Sequence, residues 1–322
     1  MMRTVAFGVP MAVVDVEEAL NGDWTACRGE VDIVRVQDPP LARWAELAAA
    51  GFFPKPQVVV WRTATAETEH DYLARLPSKD RRNVFAARRR VRATGVRFEI
   101  RPVSAGLLEL FLPLYEREVG KMRHGWAGAS AQRAQILAAA DQYFAVCVWD
   151  GADLAGACLS LQSREKDEVR ARFSAVVPHH RAAGLPRLLY MKVIEEARRR
   201  GFGWVSLGSD PNLYGHMVKP GLFGFKSRLG FVSVPSHLVD PGSGSDQADR
   251  IVGLSALTDP SFVLAYATGD DGRPVRGPDL RLEMFGATGD VDLRPYRSAF
   301  LTGMRTHRVD AVPSPFPSLT GD

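Results

Sequence analysis

Residues 173–231 contain a strand, a glycine-bearing turn, a helix and a second strand in close succession, and this order constrains the fold more than any other part of the chain. The run Phe173–Val177 is apolar and β-branched, which is typical of a buried strand. Gly184 follows a polar turn, and apolar residues then recur at helical spacing from 188 to 194. A second apolar strand is predicted over Trp204–Leu207. The backbone N–H groups that begin the helix would therefore lie where they can bind an anion.

The segments on both sides of this unit extend the same pattern. Strands are predicted at 96–103, 143–149, 154–161, 169–177, 204–207 and 231–234, and helices at 107–119, 131–140 and 220–229. Two of the connections between strands are short and turn-like, such as Asp150-Gly151, and short links join antiparallel neighbours. The order predicts an α+β fold with a mixed, mainly antiparallel central sheet flanked by helices.

Charge and cysteine content exclude several classes of protein. The chain of 322 residues has a net charge of +4, which is too small for a dedicated nucleic-acid coat. It contains three cysteines, widely spaced and without a metal-ligand pattern, as expected in a reducing compartment. No run reaches the roughly 18 apolar residues that a membrane span needs. These features predict a cytoplasmic protein with no metal site.

Composition changes along the chain predict five regions. A small N-terminal α/β lobe occupies 1–75, a basic helix 76–95, and the main α+β domain 96–240. A polar, glycine-rich loop then leads into a C-terminal extension at 241–304, in which Phe262–Thr268 and Leu280–Phe285 are predicted to form a hairpin. A proline-rich tail, 305–322, is predicted to be disordered.

The basic helix has two interpretations. Its arginines could form a solvated face that balances acidic residues elsewhere, which is the usual role of a run of charge. They could instead bind the phosphates of a nucleotide, of a tRNA or of a phosphorylated acceptor, because guanidinium groups pair well with phosphate oxygens. The arginines concerned are Arg81, Arg82, Arg88, Arg89 and Arg90.

The turn at Gly184 resembles the acyl-CoA-binding signature of the GNAT acyltransferase superfamily. That signature, Q/R-x-x-G-x-G/A, is matched at its first and fourth positions by Arg181 and Gly184, whereas Pro186 replaces the final Gly or Ala. Pro186 removes one N–H donor from the turn but suits the first turn of a helix. The resemblance implies acyl-CoA or acetyl-CoA as co-substrate. It would be bound by Val176, Val177, His180, Arg181, Ala182, Ala183, Gly184, Leu185 and Pro186.

A second set of residues resembles the Fem-type aminoacyltransferases and their relatives with a BioF-like domain. The run Gly221–Lys226 precedes a closing Gly230, and Lys226 occupies the place where GNAT enzymes commonly carry a tyrosine. Those relatives also have a basic helix upstream of the GNAT domain. This resemblance implies aminoacyl-tRNA as an alternative donor, and the two resemblances together cover residues 75–235.

Four side chains are the candidate catalytic residues. Lys226 could neutralise an oxyanion or a phosphate, and Tyr214 could supply an O–H near a leaving group. Glu116 and Asp210 are candidate general bases, the latter at the end of a strand. By resemblance, the backbone N–H of Val176 or Val177 would stabilise the oxyanion. The adjacent His179 and His180 are expected to point in different directions, which makes them a poor metal pair.

These observations predict an N-acyltransferase that forms an amide on a small-molecule or peptide amine. Acyl-CoA is placed ahead of aminoacyl-tRNA as the donor. Direct attack by the amine is favoured over a covalent enzyme intermediate, because no Cys or Ser lies in an activated setting. A degenerate GNAT domain that binds a partner without catalysis is the alternative of another class.

Overall fold

The computed structural model describes residues 1–122, 127–216 and 218–309. The strands are β1 (Met2–Ala6), β2 (Val9–Val14), β3 (Ile33–Gln37), β4 (Phe53–Pro56), β5 (Val58–Ala64), β6 (Arg97–Pro102), β7 (Tyr143–Asp150), β8 (Asp153–Ser163), β9 (Glu168–Val176), β10 (Trp204–Pro211), β11 (Val232–Pro235), β12 (Asp246–Ile251), β13 (Ser261–Tyr266), β14 (Leu280–Gly286) and β15 (Leu301–Arg308). The α-helices are α1 (Val16–Asn21), α2 (Trp44–Ala49), α3 (Glu69–Ala74), α4 (Ser78–Ala93), α5 (Ala105–Val119), α6 (Gly128–Ala131), α7 (Arg133–Ala138), α8 (Pro178–Arg181), α9 (Leu185–Arg199) and α10 (Pro220–Ser227).

The strands form three sheets. The largest has the order β11-β5-β10-β9-β8-β7-β6, the second β1-β2-β3-β12-β4, and the third β13-β14-β15. The pairs from β6 to β9 are antiparallel, and β9 and β10 are parallel. The prediction of an α+β fold with a mixed, mainly antiparallel sheet flanked by helices is therefore confirmed.

The chain divides into two compact units. The first comprises 61–208 and 226–232, and the second comprises 1–60, 209–225 and the chain from 233 onward. In the first unit, α5 packs on β8 and β9 through a core that includes Leu108, Phe111, Phe173 and Ala175. Side chains alternate between the faces of a strand, so Ser174 lies on the opposite face, where its hydroxyl meets Tyr190 of α9.

Helix α4 has the amphipathic arrangement that its sequence predicts. Its buried residues are Val84, Ala87 and Val91, and this apolar stripe lies on the side that packs against α9. The observed bounds of α4, Ser78–Ala93, lie within the predicted basic helix 76–95.

The second unit differs from the predicted separation of an N-terminal lobe and a C-terminal extension. Strand β12 lies between β3 and β4 and pairs with both in antiparallel register. The Asp249 carboxylate of this strand accepts hydrogen bonds from Arg35 Nε and Nη2 at 2.7 and 2.8 Å. The Nζ atom of Lys55 lies 3.2 Å from the same carboxylate. Strand β12, from the C-terminal part of the chain, thus completes the sheet that β1 to β4 form.

The C-terminal region contains more regular structure than its composition predicts. The hairpin of β13 and β14 is present, and β15 joins β14 in parallel. Strand β15 extends to Arg308, so the prediction of a disordered tail is wrong for residues 305–308. The remainder of the predicted tail, from 310, lies outside the described residues. Within the described part of the chain, no helix is both long and apolar enough to cross a membrane.

Candidate functional site

The large sheet opens between β9 and β10. These strands pair only where Trp204–Ser206 lies beside Glu168–Arg170, whereas the pairing of β9 with β8 continues as far as Val176. Among the described residues, 171–176 of β9 therefore have a strand neighbour on one side only. A backbone group of this segment that points away from β8 faces the opening.

The backbone of Val176 is directed into this opening. The N–H of Val177 donates to the carbonyl of Ala155 on β8 at 2.9 Å, which makes these two residues a hydrogen-bonded pair of the antiparallel ladder. Hydrogen-bonded and non-hydrogen-bonded pairs alternate, so Val176, opposite Gly156, directs its N–H and C=O away from β8. Its carbonyl accepts from Arg181 Nε at 3.0 Å. Of the two predicted oxyanion donors, Val177 is thus occupied and Val176 faces the opening.

Ser174, on the same face of β9 as Val176, faces Cys158 on β8 and contacts Tyr190 of α9; neither Ser174 nor Tyr190 is among the residues that the sequence singles out. Ser174 Oγ and Tyr190 Oη are 2.6 Å apart. Burial raises the pKa of Tyr190 above its usual range, so this hydroxyl keeps its proton at neutral pH. Burial also raises the pKa of Cys158 to about 12, which leaves the thiol protonated and a weak nucleophile. A tyrosine inside an otherwise apolar helical stripe is the one sequence signal that could have identified Tyr190.

Arg181, the first position of the GNAT-like signature, is held by protein groups. One of its terminal nitrogens donates to the buried carboxylate of Glu118, and its Nε donates to Val176 as described above. Burial opposes ionisation of Glu118, but the hydrogen bond from Lys121 and the charge of Arg181 lower its pKa below the usual value. Arg181 is thus oriented by α5 and fixes the end of β9.

Gly184 is required for close packing between two helices. Its φ is +93°, and a Cβ at this position would lie 2.9 Å from Cβ of Ala87 and 3.4 Å from a terminal nitrogen of Arg90. Its N–H donates to the carbonyl of Arg181 at 3.0 Å, and Pro186 has no N–H. Gly184 and Pro186 in the predicted pyrophosphate turn therefore offer no free backbone N–H to a ligand. In addition, α4 covers one side of Gly184.

Gly184→Ala is expected to destabilise the first unit by about 2–3 kcal/mol. The methyl group adds a left-handed backbone penalty of about 1–2 kcal/mol to the overpacking against Ala87. Gly151→Ala is the matched control, since Gly151 has φ +60° and nothing within 4 Å of a built Cβ. Ala87→Gly removes the Cβ that the new methyl group would meet. The double variant should therefore be about 1 kcal/mol more stable than the sum of the two single losses predicts. Chemical denaturation of G184A, G151A, A87G and the G184A/A87G double variant measures this, and equal losses for G184A and G151A would contradict it.

Guanidinium groups surround the first turn of α9. Arg90 Nε donates to the carbonyl of Ala183 at 3.2 Å, and Arg187 donates to the carbonyl of Arg228 at 3.2 Å. Burial and the nearby charges of Arg228 and Arg90 lower the pKa of Arg187, although Asp80 opposes them. This positive field at a helix N-terminus favours a bound anion.

The two adjacent histidines point toward the same carboxylate, so the expectation that they diverge is wrong. Their ring centroids are 4.2 Å apart, and His180 Nε2 lies 3.0 Å from Asp150 Oδ2. His179 Nε2 lies 3.9 Å from the same oxygen. The short helix α8 brings both rings to one side. The hydrogen bond to Asp150 accounts for the buried His180, which is one of the predicted cofactor-binding residues.

Lys226 and Glu116 lie in the first unit, in contrasting surroundings. Lys226 is only 5% exposed, and its Nζ lies 5.6 Å from the ring centroid of Trp61, in cation–π range. It is therefore not a solvated surface lysine. Glu116 is exposed on α5, so its carboxylate faces solvent.

Asp210 and Tyr214 lie in the second unit and contact each other. Tyr214 Oη is 3.3 Å from Asp210 Oδ2, and both residues are buried. The Tyr214 ring stacks on Phe262 with a centroid distance of 4.6 Å. The four predicted catalytic residues are thus divided between the units, and their catalytic roles stay predictions.

The exposed side of α4 carries arginines around an aromatic ring. Arg82, Phe85, Arg89 and Arg92 recur at three- and four-residue intervals, so they share one face of the helix. All four are exposed, and Phe85 is 42% exposed. Arg88 pairs with Glu69, and Arg90 contacts the Gly184 turn. We call Arg82, Phe85, Arg89 and Arg92 the outer face of α4.

The chain is similar in structure to several proteins of the GNAT and Fem kinds. FemX has 11% identity and a TM-score of 0.45, with 76% of this chain and 80% of that chain covered. L-PGS from Bacillus licheniformis has 12% identity and a TM-score of 0.39, with 70% of each chain covered. A tandem GNAT protein from the clavulanic acid biosynthesis pathway has 13% identity and a TM-score of 0.36, with 72% and 68% covered.

No protein-family model matches the chain, and no curated protein matches it. Because the TM-scores of these three structures are below 0.5, nothing about the donor or acceptor of this chain follows from them.

Proposed function

We propose that this protein is an acyltransferase that forms an amide bond between an activated acyl donor and an amine. The observation that carries the proposal is the Val176 N–H, which points into the opening between β9 and β10 while its neighbour Val177 is bonded to β8. An N–H fixed in this way can stabilise the negative charge that develops on the acyl oxygen.

The proposed reaction is a direct attack. The amine nitrogen bonds to the acyl carbon, and the carbonyl electrons move to the oxygen, which Val176 N–H stabilises. When the tetrahedral intermediate collapses, the bond to the donor's sulfur or oxygen breaks, that atom takes a proton from an enzyme hydroxyl, and the proton that the amine nitrogen releases restores the hydroxyl. Tyr190 carries a hydroxyl that is hydrogen-bonded to Ser174 on the face of β9 that also carries Val176, so this residue is our candidate for the proton donor. The protonated Cys158 supports direct attack over a thioester intermediate on the enzyme.

Tyr190→Phe is expected to lower the rate of amide formation by about 100-fold, the lower end of the range for general acid catalysis. Loss of the hydrogen bond to Ser174 should reduce stability by only about 1 kcal/mol. Ser174→Ala removes the same bond and serves as the control. If the two variants lose activity equally, Tyr190 acts through its hydrogen bond and is not the proton donor.

We infer a donor that carries phosphates, and the charges of Arg90, Arg187 and Arg228 near the start of α9 support this inference. Acyl-CoA satisfies this requirement through its pyrophosphate. However, the turn that would hold the pyrophosphate has its Gly184 N–H bonded within the protein and one of its sides covered by α4. The pyrophosphate would therefore be held mainly by side chains.

The outer face of α4 favours aminoacyl-tRNA as a second candidate donor. An exposed aromatic ring among arginines provides both stacking for a base and pairing for phosphates. Acyl-CoA would not need to contact the outer face of α4 in order to bind at the start of α9. An aminoacyl-tRNA, by contrast, is long enough to contact the outer face and the start of α9 together.

Replacing Arg89 with Gln should weaken the binding of bulk aminoacylated tRNA in a filter-binding assay. The slope of log affinity against log salt should fall by about 0.7–0.9 for each lost phosphate contact. Arg97→Gln, an exposed arginine on β6, is the matched control and should leave the slope unchanged. A rise in melting temperature with coenzyme A, together with no salt-dependent tRNA binding, would exclude tRNA and identify a thioester donor.

A further inference from the structure

The second unit contains a cavity of about 650 Å³ that the proposed acyl transfer does not use. One wall is a face of the β13-β14-β15 sheet, with Arg281 and Phe285 from β14 and Arg305 and His307 from β15. Phe53 of β4 lies opposite, with ring centroids 5.3 Å from Phe285 and 5.0 Å from His307. The volume falls within the range of about 300–1,000 Å³ found for small-molecule sites.

The cavity wall contains a buried cation with an unused donor. Arg281 is 7% exposed, and its Nη1 has no hydrogen-bond partner among the described residues. Its Nε donates to Glu283, a fully buried carboxylate that His307 Nε2 approaches at 2.6 Å. Glu283 therefore orients Arg281 without using all its donors. A buried polar atom without a partner is costly, so a ligand that accepts from Nη1 would stabilise the site.

The rest of the lining is rich in positive charge. Arg250, Arg273, Arg305 and Arg308 also line the cavity, and Asp271 is the acidic residue among the lining groups. Guanidinium groups pair with phosphate oxygens in bidentate geometry. The rings of Phe53, Phe285 and His307 add an apolar surface next to this charge, which suits a ligand with an organic ring.

We propose that this cavity binds a small organic phosphate, with Arg281 and Arg305 pairing to the phosphate and the three rings contacting the organic part. The site is independent of the acyl-transfer site in the first unit, and it goes beyond the proposed function because binding here requires no acyl transfer. Its recognition chemistry is that of a phosphorylated metabolite or a nucleotide.

Isothermal titration of the full chain at low salt, with pyrophosphate, ADP and adenosine as probes, tests the proposal. ADP should bind more tightly than pyrophosphate because it adds a ring, and adenosine should bind at least tenfold more weakly than ADP. Arg305→Gln should weaken ADP binding about tenfold, the loss expected for one charge-assisted hydrogen bond. Arg294→Gln, an exposed arginine of the same unit that does not line the cavity, should leave it unchanged.

A second variant keeps the test valid if single changes at the buried pair prevent folding. Arg281→Gln combined with Glu283→Gln removes both charges together, so no uncompensated buried carboxylate remains from this pair. This double variant should also weaken ADP binding at least tenfold. Adenosine binding as tightly as ADP, or ADP binding that Arg305→Gln leaves unchanged, would overturn the proposal, and so would the absence of binding by every probe.

Discussion

Val176→Pro is expected to reduce the rate of amide formation by about 10²–10³-fold, the effect of removing one oxyanion donor. Proline lacks the N–H that points into the opening between β9 and β10. The β8–β9 ladder does not use this N–H, because Val176 and Gly156 form a non-hydrogen-bonded pair. No ladder hydrogen bond is lost, so the melting temperature should fall by a modest amount, as it should for Val176→Ala, and the loss of rate should appear in kcat.

Substitutions at Val176 and Val177 distinguish the loss of the Val176 N–H from the loss of side-chain packing and from the loss of a ladder hydrogen bond. Val176→Ala keeps the N–H and shortens the side chain, so its rate should stay within about threefold of wild type, with a modest loss of stability. Val177→Pro removes the N–H that donates to Ala155 and should cost about 1–3 kcal/mol of unfolding free energy. Equal rates for V176P and V176A would show that Val176 N–H is not an oxyanion donor.

Asp249→Ala is expected to cost about 3–5 kcal/mol of unfolding free energy, because it leaves Arg35 and Lys55 with an uncompensated charge in the interior. Asp249 is fully buried and bonds to both cations. The residue lies on β12, so the loss should release this strand from β3 and β4. Urea denaturation and hydrogen exchange of β12 amides measure the two effects.

The exposed pair of Asp292 and Arg294 is the control for this substitution. It has similar geometry, with nitrogen–oxygen distances of 2.8 and 3.0 Å, but both partners are accessible to solvent. Asp292→Ala should therefore leave the free energy of unfolding almost unchanged. A loss of similar size at both positions would contradict the role assigned to burial.

The same site predicts a pH dependence at acid pH. Burial opposes ionisation of Asp249, but the charges of Arg35 and Lys55 and their hydrogen bonds lower its pKa from 3.8 to about 2. A lowered carboxyl pKa contributes stability above the unfolded value and loses it as pH falls through the folded value. Wild-type stability should decline between about pH 4 and pH 2, more steeply than that of Asp249→Ala.

Local patterns in the sequence were sufficient to predict much of the first unit. Alternating apolar residues and the turn at Asp150-Gly151 predict adjacent antiparallel strands, since a short connection allows few other pairings. The apolar stripe of α4 likewise predicts which side is buried, namely the side with Val84, Ala87 and Val91. These features depend on neighbours in the sequence, which is why they can be inferred from it.

The remaining features depend on contacts between distant segments. The Lys55–Asp249 ion pair joins residues nearly 200 positions apart in a strand order that no local signal specifies. The pattern around Gly184 predicts a polar, glycine-bearing turn but does not reveal that α4 lies against it. Burial of Lys226 beside Trp61 is also a tertiary effect, because lysine is seldom buried. The turn and the lysine are therefore recognisable in the sequence, whereas the groups that surround them are not.

A product assay tests the central claim most directly. Purified wild-type protein and the V176P and V176A variants would be incubated with a panel of amines and either acetyl-CoA or bulk aminoacylated tRNA, and amide products would be detected by mass spectrometry. We predict a new amide with wild type and V176A, and a 10²–10³-fold slower reaction with V176P. The absence of any amide from either donor class, or equal product from V176P and V176A, would contradict acyl transfer at Val176.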